Sequence, residues 1–162
     1  MKFSQNGLKL LASNSYEGDV LRIYKDAAGK PTIGVGHLLT SAENANGKIN
    51  IAGKQVLIGS GITEQQSLDL LAQDVKPAED AVNSHVKVAL NQNQFDALVI
   101  FTFNVGTGGF DSSSLLVAIN EKDVADIPED FMKWDKITKN GVHVVCDGLV
   151  TRRKLEINLY NS

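Results

Sequence analysis

The sequence predicts an α+β, mainly α-helical fold, in which a small antiparallel sheet lobe and a helical lobe are joined by a long helix. Three observations predict it. Residues 20–33 mix apolar and polar positions around the turn formers Asp26, Gly29 and Pro31, a pattern that suits strands and turns. Leu68, Leu71, Val75, Ala78 and Val82 recur at intervals of 3, 4, 3 and 4. They lay one apolar stripe along about 20 residues, or roughly 30 Å at 1.5 Å per residue, long enough to bridge two lobes. Beyond that stripe the signals are helical throughout. With 162 residues, 43% hydrophobic and 22% charged, the chain can fill a core without disulfides or metal. One domain spanning 1–162 is expected: a sheet-containing lobe over about 15–62, a linking helix over 63–84, and a helical lobe over 85–162 that includes the N-terminal helix.

Each element has its own signal. Leu8, Leu11, Ala12 and Ser15 stand at helical spacing and Gly18 follows, so a helix is expected over about 5–17. A small sheet comes next, then a hairpin of Lys48 to Ile51 and Gln55 to Ile58 around Ala52-Gly53-Lys54. Thr63-Glu-Gln-Gln66 has capping-box spacing and starts the linking helix. Pro77 removes a backbone donor inside it, so a kink is expected near Gln73 to Pro77 and not a clean break. Further helix starts are read at Asn91, Ser112 to Ser114, Pro128 and Asp147. The helix over about 92–105 is apolar on most sides and marks the centre of its lobe; Gly106, Gly108 and Gly109 are expected to stop it. Val142 to Val145 reads as a short strand or an edge.

Several function classes are excluded. The 16 basic and 19 acidic residues give a net charge of −3, with no basic half for nucleic acid to find. The single Cys146 has no partner for a bridge or a structural zinc site. Asn6, Gly7 and Lys9 break the N-terminal segment before any apolar run reaches signal-peptide length, and no membrane-spanning run follows. Gly34-Val-Gly36 lacks the third glycine of a dinucleotide fingerprint, Leu39 standing in its place.

Chemistry is densest from Glu17 to His37, where two carboxylates, the Thr32 hydroxyl and an imidazole fall within 21 residues. Glu17, near the end of the first helix, and Asp26, after the chain has turned into a hairpin, can face each other across a groove. Paired carboxyls are what glycoside hydrolysis requires. One must be protonated to donate to the leaving oxygen, and the other must stay ionised to stabilise positive charge or direct water. Spacing alone leaves open that both are solvated loop carboxylates.

The run Glu17-Gly…Leu21-Arg-Ile-Tyr24-Lys-Asp26…Gly29…Thr32-Ile-Gly-Val-Gly-His37-Leu-Leu-Thr40 resembles, without a gap, the catalytic segment of the phage-type lysozymes. These are the T4-lysozyme-like muramidases of glycoside hydrolase family 24. Similar segments follow in order: Gly61 to Glu64, Leu71 to Val75, Leu90 to Leu98, Phe103 to Gly106, Phe110 with Ser112 to Leu116, Phe131 to Trp134, and Gly148 to Arg153 with Glu156. Residues 41–60 and 136–147 have no clear counterpart. The resemblance implies a lysozyme-like two-lobed fold with the active site in the cleft between the lobes.

It also implies roles. Glu17 resembles the general acid that protonates the oxygen between N-acetylmuramic acid and N-acetylglucosamine, Asp26 the second carboxylate, and Thr32 the hydroxyl that helps hold the attacking water. Inversion at the anomeric carbon is implied, with carboxyls roughly 6.5–9.5 Å apart. Arg152 matches an arginine that approaches the catalytic acid; the alternative for Arg152 or Arg153 is a pair with Glu156 on the same helix. His37 has no nucleophile beside it and is expected to support the fold by pairing with Asp74. Leu38, Phe103 and Ser113 match substrate-binding positions, a plain core role being the alternative for Phe103. Trp134 and Tyr24 either stack on sugars or, for Trp134, fill core.

No cofactor and no metal are implied. The partner implied is bacterial peptidoglycan, met by a monomeric endolysin made in the host cytoplasm and dependent on a holin to reach the wall in the periplasm. Alternatives are a wall-binding relative without turnover, a lytic transglycosylase, and a detached lysozyme domain of a tail protein or bacteriocin. Many relatives are basic, whereas this chain is acidic, so steering by net charge is not expected.

Overall fold

The computed structural model describes residues 1–26, 28–139 and 141–162. By internal contacts the chain forms two units, Leu8–Lys76 and Met1–Gly7 with Pro77–Ser162. Its secondary structure is α+β and mainly helical.

The first division falls inside α1 (Gln5–Ala12), which is shorter than the expected 5–17. The Ser13 hydroxyl donates to the Leu10 carbonyl at 2.6 Å, occupying an acceptor that a further helical turn would use. The chain then curls: the Glu17 N–H returns to the Leu11 carbonyl at 3.2 Å and the Gly18 N–H to Ser13 at 3.0 Å. Glu17 therefore stands in the turns after α1.

In Leu8–Lys76, β1 (Val20–Lys25), β2 (Pro31–Gly34) and β3 (His37–Leu38) form an antiparallel sheet in that order. Tyr24 lies opposite Thr32, and Thr32 opposite Leu38. The expected hairpin is present as β4 (Lys48–Ile51) and β5 (Lys54–Leu57). Sequence reading missed α2 (Ser41–Asn46), although Thr40-Ser-Ala-Glu43 has the same capping-box spacing as Thr63 to Gln66. The Thr40 hydroxyl accepts the Glu43 N–H at 3.2 Å, and the Glu43 carboxylate accepts the Thr40 N–H at 2.8 Å. Ile33, Leu39, Ile49, Ile51, Ile58, Ile62 and Leu70 form the core of this unit.

α3 (Glu64–Asp74) starts at the predicted Thr63 cap. The linking helix is interrupted at Val75, and α4 (Lys76–His85) follows. Pro77 has no N–H for the Gln73 carbonyl four residues back, so the ladder lapses there. Just before α3, Gly61 has φ +98°, and a Cβ on it would lie 2.7 Å from the Leu21 carbonyl oxygen, the acceptor of the Ile62 N–H at 2.8 Å. Gly61→Ala is therefore expected to cost about 2–4 kcal/mol, read as a lower midpoint in urea unfolding. A loss within error would mean that this backbone crossing relaxes freely.

In the other unit, α5 (Gln92–Val105) carries a run of buried positions from Phe95 to Thr102 and forms the expected centre. α5 ends as expected at Gly106, its C-cap with φ +84°, while Gly108 and Gly109 lie within a further short helix, α6 (Thr107–Asp111). A Cβ on Gly109 would come within 3.0 Å of the Trp134 ring, so the glycine makes room for the indole. α7 (Ser114–Glu121), α8 (Ile127–Met132) and α9 (Asp147–Tyr160) start near the predicted positions, and α9 lies along α5. Phe131, Trp134 and Phe110 meet Phe101 edge-on, with centroids 5.2, 5.9 and 6.5 Å away, the preferred aromatic geometry. Trp134 thus takes the core role.

β6 (Lys136–Lys139) and β7 (Val142–Val145) form a hairpin: β7 is the short strand expected at Val142 to Val145, and β6 corrects the otherwise all-helical reading of the second half. All eight strand positions are exposed. With neither face buried there is no apolar alternation, the signal by which a strand is recognised.

Candidate active site

Asp26 folds its own turn. Its Oδ1 accepts the Ala28 N–H at 2.9 Å and the Lys30 N–H at 2.8 Å, while its backbone N–H donates to the Lys30 carbonyl at 2.9 Å. Both side-chain bonds fall on one oxygen, and Oδ2 takes no hydrogen bond among the described residues. The Asx turn thus aims a carboxylate while leaving one oxygen for chemistry. Glu17 is exposed, in the turns after α1.

Tyr24, on β1, lies within electrostatic reach of these carboxylates. Burial raises the pKa of its phenol, and the charges of Glu17, Asp26 and Asp19 raise it further. The ring, half-buried on β1, therefore lies in the field of both expected catalytic carboxylates. Thr32, its partner across the strands, is 1% exposed, and its hydroxyl donates to the Lys30 carbonyl at 3.0 Å. With that hydrogen committed, Thr32 can meet a water only as an acceptor.

His37 Nδ1 lies 2.8 Å from Asp74 Oδ2 and 3.1 Å from Oδ1, joining β3 to α3, and its Nε2 lies 3.6 Å from Glu43. The bond to Asp74 raises the His37 pKa, against burial, which lowers it. Burial pushes Glu43 up, yet the Thr40 backbone and hydroxyl, with His37, hold it below its ordinary value. Because the folded pKa of His37 is raised, its stabilisation is full below the unfolded value of about 6.5 and is lost as pH rises through the folded value. The stability difference between wild type and Asp74→Asn should accordingly shrink from about pH 6 upward. A difference that stays constant to pH 9 would show that His37 is not charged in this pair.

The segment holding all of these residues lies within a larger match: the family model for phage lysozymes covers residues 14–156. The chain belongs to the phage lysozyme family. It is 38% identical over 162 residues to the endolysin of Salmonella phage P22, covering all of this chain and 99% of that one. Among solved structures, the endolysin of Escherichia coli O157:H7 phage FAHEc1 is 36% identical with a TM-score of 0.82, over 99% of this chain and 93% of the other. The muramidase domain of SpmX from Asticaccaulis excentricus is 31% identical with a TM-score of 0.80, over 99% and 98%.

The remaining candidates are placed in this family member as follows. Leu38 is 48% exposed on β3, beside Thr32. Phe103 is half-buried on α5. Ser113 is buried as the N-cap of α7, its hydroxyl donating to Phe110 at 2.7 Å and accepting the Leu116 N–H at 3.1 Å. Arg152 and Arg153 both pair with Glu156, at 3.2 and 3.1 Å. Arg153 is fully buried, with Nη2 2.5 Å from Asn104 Oδ1 and its guanidinium 4.9 Å from the centre of the Phe101 ring. Asp19, Glu43 and the placement of Tyr24 were missed by sequence reading. The capping-box spacing of Thr40 to Glu43 was a signal available for Glu43. Among the described residues no group of three or more His, Cys, Asp or Glu could hold a metal ion, and no helix is long and apolar enough to cross a membrane.

Proposed function

We propose that the protein is an endolysin, a muramidase that hydrolyses the β-1,4 bond between N-acetylmuramic acid and N-acetylglucosamine in bacterial peptidoglycan. The observation that carries this reading is the folded segment from Glu17 to His37, in which the Asp26 carboxylate is set by its own turn and Thr32 pairs across the strands with Tyr24. Glu17 donates its proton to the glycosidic oxygen as the bond to the anomeric carbon breaks. A water gives a proton to Asp26 and attacks that carbon from the opposite face, passing an oxocarbenium-like transition state. The Thr32 oxygen accepts the water's other hydrogen and so orients its lone pair. Leu38, Phe103 and Ser113 are assigned to glycan binding, and Arg152 to support of the catalytic acid, by their match to the family's motifs. The enzyme acts as a monomer, is made in the host cytoplasm and depends on a holin for access to the wall.

Purified protein should clear permeabilised Gram-negative cells, and fragments of defined peptidoglycan should appear first as the α anomer. Initial β product would overturn the inverting assignment. Fragments lighter by one water, with 1,6-anhydro ends, would assign the chain to transglycosylation.

A further inference from the structure

Glu17 is exposed and stands in turns between α1 and β1, next to Gly18, which has φ +75°. On the α1 side the turn is held by the Glu17 N–H on the Leu11 carbonyl and the Gly18 N–H on the Ser13 carbonyl. Two residues on, Asp19 Oδ1 accepts a hydrogen bond from Ser67 Oγ at 2.7 Å. Ser67 is on α3 and fully buried. A third segment closes on the same point: Gly34, at the end of β2, has φ +63°, and a Cβ there would lie 2.8 Å from Ser67 Oγ. The strand end can rest on that hydroxyl only because residue 34 has no side chain. Gly34 is also the register partner of Val20, the residue after Asp19.

We infer that the Ser67–Asp19 hydrogen bond, seated against Gly34, is a clamp that fixes the Glu17 turn onto α3, and that Asp19 and Ser67 are positioning residues for proton donation by Glu17. The inference rests on the muramidase reading above. Three segments far apart in sequence meet at one hydroxyl, and the acceptor is a carboxylate, which makes the bond one of the stronger kind. Asp19 also belongs to the site's field, since it acts on Tyr24 together with Glu17 and Asp26. With the clamp in place, Gly18 is held from both sides, by the Leu11 and Ser13 carbonyls before it and by Ser67 after it. Without it, the turn that carries Glu17 loses its tie to α3. A displacement on the order of 1 Å at a reacting group can cost about 10²-fold in rate.

The test compares Ser67→Ala, Asp19→Ala, the double variant and Asp19→Asn with wild type, well below every unfolding midpoint. Expected is a fall in kcat of about 10- to 100-fold in each alanine variant, with KM little changed. The double variant should be no worse than either single one, as two ends of one bond require. Asp19→Asn, whose amide oxygen can still accept, should recover most of the loss. Amide exchange at Glu17 and Gly18 should accelerate in Ser67→Ala while α5 is unaffected. Unchanged kcat with a lower midpoint, or additive losses, would overturn the positioning role, and unchanged exchange would overturn the clamp. If wild type hydrolyses nothing, the muramidase reading fails, and the exchange measurement still decides whether Ser67 holds the Glu17 turn.

Discussion

Glu17→Gln is expected to slow clearance of permeabilised Gram-negative cells by about 10²–10⁴-fold, the usual weight of a general acid. Glutamine has nearly the same shape and cannot deliver the proton that the departing sugar oxygen needs. Glu17 is exposed, so the unfolding midpoint should move by no more than about 1 kcal/mol in equivalent stability, and the loss will read as chemistry. Asp26 behaves differently, because its Oδ1 also holds the turn through the Ala28 and Lys30 N–H groups. Asp26→Ala removes the carboxylate and unties the loop, whereas Asp26→Asn keeps an acceptor and removes only the charge. Activity retained in Glu17→Gln would remove the proposed mechanism at its first step.

Glu156→Ala is expected to lower stability by about 3–5 kcal/mol, because it strips the shared carboxylate from two buried guanidinium groups. Glu156 and Arg153 have no exposed surface, and the Arg152 side chain has little. Arg153 also reaches Asn104 and covers the Phe101 ring on α5, so the pair joins α9 to the centre of its unit. For a domain with about 5–15 kcal/mol in total, this is a large share. Glu156→Gln keeps the volume and one acceptor and should cost less. Urea unfolding measures both, and a loss below about 1 kcal/mol for Glu156→Ala would show that water replaces the carboxylate easily. Both arginines thus pair with the one carboxylate, and the proposed support of Glu17 by Arg152 is left to the activity assay. Arg152→Ala is best assayed for activity at a temperature where its fold is intact.

The helix starts were legible because a cap is local. Thr63 with Gln66 and Asn91 with Gln94 are each satisfied three residues away, and the same rule would have found α2 at Thr40. The buried α5 and the stripe through Leu71, Val75, Ala78 and Val82 were legible because burial imposes a period on the sequence. Of the β6–β7 hairpin only β7 was legible, as Val142 to Val145; β6 was not, since its faces are in water and no apolar alternation marks it.

The sequence by itself determined the α+β class, most helix starts and the motif from Glu17 to Thr40 that marks the family, all of which rest on neighbours within a few residues or on an unbroken run. Tertiary structure decided what holds that segment. The expected pair of His37 with Asp74 is present, but Ser67 beneath Asp19, Asn104 at Arg153 and Tyr24 within reach of three carboxylates join residues that chain spacing does not relate. Such partners are fixed only when several elements pack at once, because the energy of a buried polar pair depends on everything that excludes water around it.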